Sequence, residues 1–90
     1  MVYVYVLQSK RSGKLYVGYT ENLKRRIRDH VSGQTHSTYR MGQLELIYYE
    51  AFKNEQDARE RERYLKTTQG KRTLKLMLKN TFNKAGGAIV

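Results

Sequence analysis

An α+β fold, a small three-stranded antiparallel sheet flanked by helices in the order β-β-α-β-α-α, is what this sequence predicts. Three observations lead there. Two short runs rich in valine and tyrosine, at the start of the chain and at 15–20, flank a basic turn. Apolar residues then recur at helical spacing in three later segments, and between the first two of these Leu44–Phe52 returns to strand composition. Ninety residues is the length of one small domain. At this size folding hides only about 60% of the chain's surface, so the core must be used fully. We place the domain at residues 1–82 and a frayed tail at 83–90, where NKAGGAIV has a Gly-Gly pair and no periodicity.

Val2, Val4 and Val6 alternate with Tyr3, Tyr5 and Leu7, so both faces of the first strand are apolar or aromatic. That pattern suits a central strand covered on both sides, or one covered face opposite a tyrosine-lined functional face. Lys10-Arg11-Ser12-Gly13-Lys14 reads as the hairpin turn, with Gly13 supplying the unusual backbone angles. The second strand is Leu15–Thr20. Either Thr20 or Asn22 can cap the helix that follows over 23–32, where Leu23, Ile27 and Val31 form one stripe. Arg26 and His30 share the same four-residue spacing and project from one side. Gly33 is a natural stop, and 34–43 reads as a mobile surface loop.

After the third strand, Asn54 looks like the cap of a second helix running from about Glu55 to Thr67, with Asp57 favourably placed in its first turn. Its apolar stripe is thin: Ala58 and Leu65, with Tyr64 alongside. Glu62 falls on that same side. Gly70 should end or bend this segment. A third helix, about Lys71 to Asn80, should bury Leu74, Met77 and Leu78 and display Lys71, Arg72, Lys75 and Lys79.

Composition narrows the function. There is no cysteine, which excludes disulfides, a thiolate zinc site and a thiol nucleophile, and fits a reducing cytoplasm. No signal peptide is visible, and no apolar stretch approaches the ~18 residues of a membrane span. Eighteen Lys plus Arg stand against eight Asp plus Glu, a formal +10. A small body so charged attracts polyanions, and nucleic acid is the partner it best fits. An anionic membrane fits less well, because no strongly apolar helix face backs the basic residues.

Four side-chain types carry the chemistry. A strand tyrosine is usually packing, yet its hydroxyl donates or accepts, and positive charge lowers its pKa of ~10 toward use as a proton acceptor. Tyr5 and Tyr16, on adjacent strands of one hairpin, could share a cleft, and Tyr19 follows closely. Arg26 is either a solvated surface charge or a planar fork gripping a phosphate. His30 is either a partly exposed helix histidine or a general acid or base near neutral pH. His36 has no partner at helical spacing and reads as loop. Glu62 is the most telling position, because an inward carboxylate is costly unless paired, hydrogen-bonded or bound to metal. It is either an arginine's ion-pair partner or the ligand of Mg2+ or Mn2+, ions that keep most of their waters and need few protein ligands.

Tyr3-Val4-Tyr5, ten intervening residues and Tyr16-Val17-Gly18 resemble the two-part signature of GIY-YIG nucleases. Asn22-Leu23-Lys24-Arg25-Arg26 with His30 resembles that family's helix with the catalytic arginine. Arg61-Glu62-Arg63-Tyr64-Leu65-Lys66 resembles the helix with its metal-ligand glutamate. The likeness covers roughly residues 2–80 and is greatest to the small stand-alone bacterial branch. Tyr3 stands where the signature has its first glycine, a change that branch tolerates. Asn80 and Asn83 lie near the place of an active-site asparagine found in some members, and neither is assigned.

The resemblance implies a divalent-metal-dependent endonuclease. Tyr5, Tyr16, Tyr19, Arg26, His30 and Glu62 would be catalytic, with Glu62 holding one Mg2+ or Mn2+. Lys71, Arg72, Lys75 and Lys79, with Arg40 in the loop, would track a nucleic-acid backbone, DNA in preference to RNA. Targeting would come from DNA shape, a protein partner or a homo-oligomer. A non-catalytic DNA- or RNA-binding module on the same fold, and a module docking an acidic protein, are the rival readings.

Overall fold

The computed structural model describes residues 1–31 and 42–82. Arg40, His36, Asn83, most of the expected loop and the expected tail lie outside them. Six elements follow in the expected order: β1 (Val2–Ser9), β2 (Leu15–Thr20), α1 (Leu23–Val31), β3 (Leu44–Phe52), α2 (Glu55–Leu65) and α3 (Thr68–Met77). The strands form one antiparallel sheet in the order β2-β1-β3.

The central strand is β1, and its two-faced apolar pattern is used on both faces. Val4 and Val6, with Val17 of β2, pack against Ala58 and Leu65 of α2 and Leu74 of α3. Tyr5 and Leu7 turn the other way, toward Leu44 of β3 and Leu23 and Ile27 of α1. The sheet is therefore the middle layer between α1 on one side and the α2–α3 pair on the other. Between β1 and β3 the register slips, from Val6 opposite Tyr48 to Leu7 opposite Leu46. Ile47 is the extra residue of this bulge, and it packs with Tyr48 on the α2 side.

The hairpin turn closes where the sequence places it. Ser9 N–H donates to the Lys14 carbonyl at 2.9 Å, and Gly13 takes a φ of 77°, a left-handed value that costs glycine nothing. Asn22, rather than Thr20, caps α1: its Oδ1 accepts from Arg25 N–H at 3.1 Å. Thr20 Oγ1 instead braces the corner by accepting from Asn22 N–H. Asn54 caps α2 as expected, accepting from Gln56 and Asp57 N–H.

The boundary between the last two helices differs from expectation. The second helix ends at Leu65, and the third begins at Thr68, not Lys71. Thr67 is the reason, since its hydroxyl oxygen accepts from Gly70 N–H at 2.9 Å and starts a new helix. Gly70 is thus inside the first turn of α3. A β-carbon there would lie 1.9 Å from the Tyr64 carbonyl oxygen, so glycine permits close approach of two helices rather than ending one. Leu74 is fully buried and Leu78 partly so, but Met77 is 45% exposed, because α3 contacts the core along a narrower stripe than its sequence offers.

One polar device fixes α2 to the sheet. Arg61 donates from Nε and Nη2 to the two carboxylate oxygens of Glu50 on β3, each at 2.9 Å, and Tyr48 donates to the same carboxylate. Burial opposes ionisation of Glu50, but the donors from Arg61 and Tyr48 hold its pKa below the usual 4.5. Burial and this hydrogen bond push Tyr48 up to about 12. The clamp sets the rotation of α2, and with it the position of Glu62.

Candidate active site

Strand alternation sends Tyr5 to the α1 side, and pairing then decides its neighbours. Tyr5 lies opposite Gly18, and Leu7 opposite Tyr16. Because Gly18 has no side chain, the Tyr5 ring lies across it: a β-carbon at 18 would be 2.3 Å from the Tyr5 hydroxyl. Three rings gather there. Tyr5 and Tyr16 have centroids 6.3 Å apart, Tyr5 and His30 5.6 Å, and Tyr16 and His30 5.1 Å. The Tyr5 hydroxyl and His30 Nε2 share a buried hydrogen bond of 2.8 Å. Only 2% of Tyr5 and 3% of His30 is exposed, whereas Tyr16 reaches the surface.

The charge around the cluster sets its protons. Burial first, then the neighbouring Tyr16, raises the Tyr5 pKa well above 10. Glu62 adds to the rise, and Arg26 pulls against it. Burial first, then Arg26, lowers His30 below 6.5 against the opposing Asp29. Near pH 7 the pair is a neutral phenol on a neutral imidazole. His30 is thus a buried member of the cluster, not a partly exposed helix residue.

Arg26 and Glu62 approach this cluster from different helices. Arg26, one turn before His30, is exposed at the surface and acts on both Tyr5 and His30. Glu62 acts on Tyr5 and on Tyr19. Its side chain is only 14% exposed and pairs with Lys66 Nζ at 3.0 Å, one turn on, so its ion pair is with a lysine rather than an arginine.

Tyr19 stands apart from the other tyrosines. It lies three positions after Tyr16, an odd offset, so the two side chains point to opposite faces of the strand. It packs with the α2-side core, and Arg59 Cζ lies 3.7 Å over its ring centroid. Its hydroxyl is occluded and meets no hydrogen-bond partner among the described residues. Local burial, then the Glu55 carboxylate, raises its pKa.

A groove of about 580 Å3 passes the outer edge of β2 and joins both sides, lined among others by Tyr19, Asn22, Arg25, Arg26, Asp29 and Arg59. Arg25 and Arg59 were not singled out from sequence. The signal for Arg59 is its place three residues before Glu62, on the same side of α2. Lys71 and Lys75 lie on the α3 layer, where they line a second pocket with Lys14 of the hairpin. Arg72 and Lys79 are exposed.

The donor set bears on a metal ion. Among the described residues no group of three or more histidine or acidic side chains forms a cage. A single shielded carboxylate fits Mg2+ or Mn2+, which retain waters and take substrate oxygens as further ligands. The Lys66 ammonium already sits on that carboxylate, so the position accepts a cation.

The rings of Tyr5, Tyr16 and His30, with Arg26 of α1 and Glu62 of α2 both acting on Tyr5, draw residues from two strands and two helices. The chain belongs to the GIY-YIG catalytic-domain family, whose pattern matches residues 1–75. That family is one of nucleases, which generally use a divalent metal and act on nucleic acid. More particularly, the chain is 38% identical over 78 residues to a UPF0213 protein of Clostridium perfringens, covering 86% of this chain and 83% of that one. A UPF0213 protein of Pediococcus acidilactici is 41% identical over 69 residues, 73% of this chain and 70% of the other. The solution NMR structure of a UPF0213 protein from Bacillus halodurans matches with a TM-score of 0.54 at 33% identity, covering 86% and 85% of the two chains.

Proposed function

We propose that this protein is an endonuclease that hydrolyses phosphodiester bonds with one divalent ion, acting on DNA in preference to RNA and selecting by structure rather than by base sequence. The observation that carries the reading is the buried Tyr5–His30 pair beside surface-reaching Tyr16, with Arg26 and Glu62 both acting on Tyr5. Arg26 grips the scissile phosphate and offsets the negative charge that grows on it, an effect worth about 3–4 kcal/mol for a preorganised donor. Tyr16, the most accessible ring of the cluster, takes the proton of the attacking water as its own phenolic proton passes to Tyr5. Tyr5, kept a phenol by its raised pKa, hands its proton in turn to the neutral His30 across their hydrogen bond. Glu62 would hold Mg2+ or Mn2+, which when bound would supply charge stabilisation to the reacting phosphate. Tyr19 and Arg59 line the path of the strand, and Lys71, Arg72, Lys75, Lys79 and Arg40 contact backbone phosphates without reading sequence. The cysteine-free composition supports the cytoplasm as the place of action.

The Lys66–Glu62 ion pair favours a second reading, a nucleic-acid binder in which a lysine permanently replaces the metal. Labelled duplex, single-strand, flap and splayed-arm substrates, in DNA and RNA, separate the two. With Mg2+ or Mn2+ the wild type should cut, and EDTA or Glu62→Gln should abolish cutting while leaving salt-sensitive binding. Binding without cutting under either metal overturns the nuclease and favours the binder.

A further inference from the structure

A second groove, unlike the first in chemistry, opens on the α1 side of the sheet. Helix α1 packs over β1 and the Leu44–Leu46 end of β3, while Tyr49, further along β3, is 50% exposed. The groove, about 510 Å3, is lined by Tyr3, Leu23, Lys24, Ile27, Leu46 and Tyr49, with Glu21 and Asn22 at one end. Its walls are mainly apolar. Tyr3 meets Tyr49 edge-to-face, with centroids 6.2 Å apart and planes at 65°. Glu21 and Asn22 also line the arginine groove, so the two are continuous around the start of α1.

The sequence of chemistries along this path is arginine, then aromatic. Arg25, Arg26 and Arg59 suit phosphates, and the Tyr3–Tyr49 platform with Lys24 beside it suits a flat apolar ring joined to a phosphate. We propose that this groove seats an unpaired base next to the bound phosphate, so that the preferred substrate has single-stranded nucleotides beside the cut. The proposal rests on the nuclease reading above and names its substrate class: flaps, splayed arms and single strands rather than continuous duplex, whose bases are already stacked on one another. A polyanion complements a chain of net charge +10, whereas a second copy would bring like charge to a groove with Lys24 on its wall. Stacking on an aromatic side chain needs no particular base, which agrees with selection by structure.

The test uses full-length protein in EDTA, to read binding alone, and a duplex with a single-stranded arm carrying 2-aminopurine beside the junction. A blunt duplex of equal length is the control. Wild type should quench the probe. Tyr49→Ala should remove the quenching and weaken binding to the armed substrate roughly tenfold while leaving the blunt duplex unchanged. Tyr49→Phe should restore both, which a purely structural role of the hydroxyl would not allow. Equal quenching and affinity in wild type and Tyr49→Ala would overturn the proposal, and metal-dependent cutting would then leave the nuclease reading intact. A concentration-dependent dimer lost in Tyr49→Ala, with nucleic-acid binding unchanged, would assign the groove to a second copy and also overturn it. No binding of any nucleic acid by the wild type would overturn both readings.

Discussion

His30 and Tyr5 are the residues in which sequence, burial and chemistry meet most closely. His30 is held neutral by burial and by Arg26, so its folded pKa lies below 6.5. The sign of the consequence follows. Above 6.5 neither the folded nor the unfolded chain protonates this ring, and nothing is lost. Below it the unfolded chain binds a proton that the folded chain refuses, so stability falls as the pH drops toward the folded pKa. One such group gives a slope of at most about 1.4 kcal/mol per pH unit. Melting curves from pH 7.5 to 5.5 should show this loss in wild type and a flatter profile in His30→Gln. Tyr5, Tyr16 and His30 were legible in the sequence because strand alternation and four-residue helical spacing fix the side from which each projects. The Gly18 opposite Tyr5 was not, since strand register is a long-range choice. Tyr19 was grouped with its neighbours by proximity in sequence, although the odd separation from Tyr16 puts it on the other face. Arg59 over Tyr19 depends on how α2 docks, which no local pattern encodes.

Elements were legible where a local signal is strong and unopposed. The hairpin, the Asn54 cap and β3 fall where composition places them. The α2–α3 junction did not, because glycine was read as a breaker when its use here is to let two helices touch. Thr67 both ends one helix, donating to the Tyr64 carbonyl at 2.7 Å, and caps the next. Gly70→Ala would force its β-carbon into the Tyr64 backbone, which cannot swing aside as a side-chain tip can. The cost should reach about 3 kcal/mol, the upper part of the usual range for overpacking. A domain of this size has a total stability of only about 5–10 kcal/mol. Chemical denaturation should therefore show a large fall in the midpoint for Gly70→Ala. The same fall should loosen Glu62, because α2 carries it between the Glu50–Arg61 clamp and this junction.

At the scale of the whole molecule, a layered fold puts its two kinds of positive charge to different uses. Lys14, Lys71 and Lys75 form a surface pocket on the α3 layer, suited to phosphates at any sequence and weakened by salt. Arg25, Arg26 and Arg59 instead line the groove at the β2 edge together with Tyr19. Charge composition made a polyanionic partner legible, but only the three layers show which cations sit beside the rings. Among these, Arg26 alone acts on both Tyr5 and His30, so it joins binding to chemistry. Because Arg26 is exposed, removing it should spare the fold. The most direct measurement is the single-turnover cleavage rate of Arg26→Ala beside wild type, at protein concentrations that saturate a labelled splayed-arm DNA with Mg2+ present. The account predicts binding within a few-fold of wild type and cutting slower by about a hundredfold or more, the loss expected when a preorganised charge at the reacting phosphate is removed. Cutting at the wild-type rate would contradict it, and would move the chemistry away from the Tyr5–Tyr16–His30 cluster.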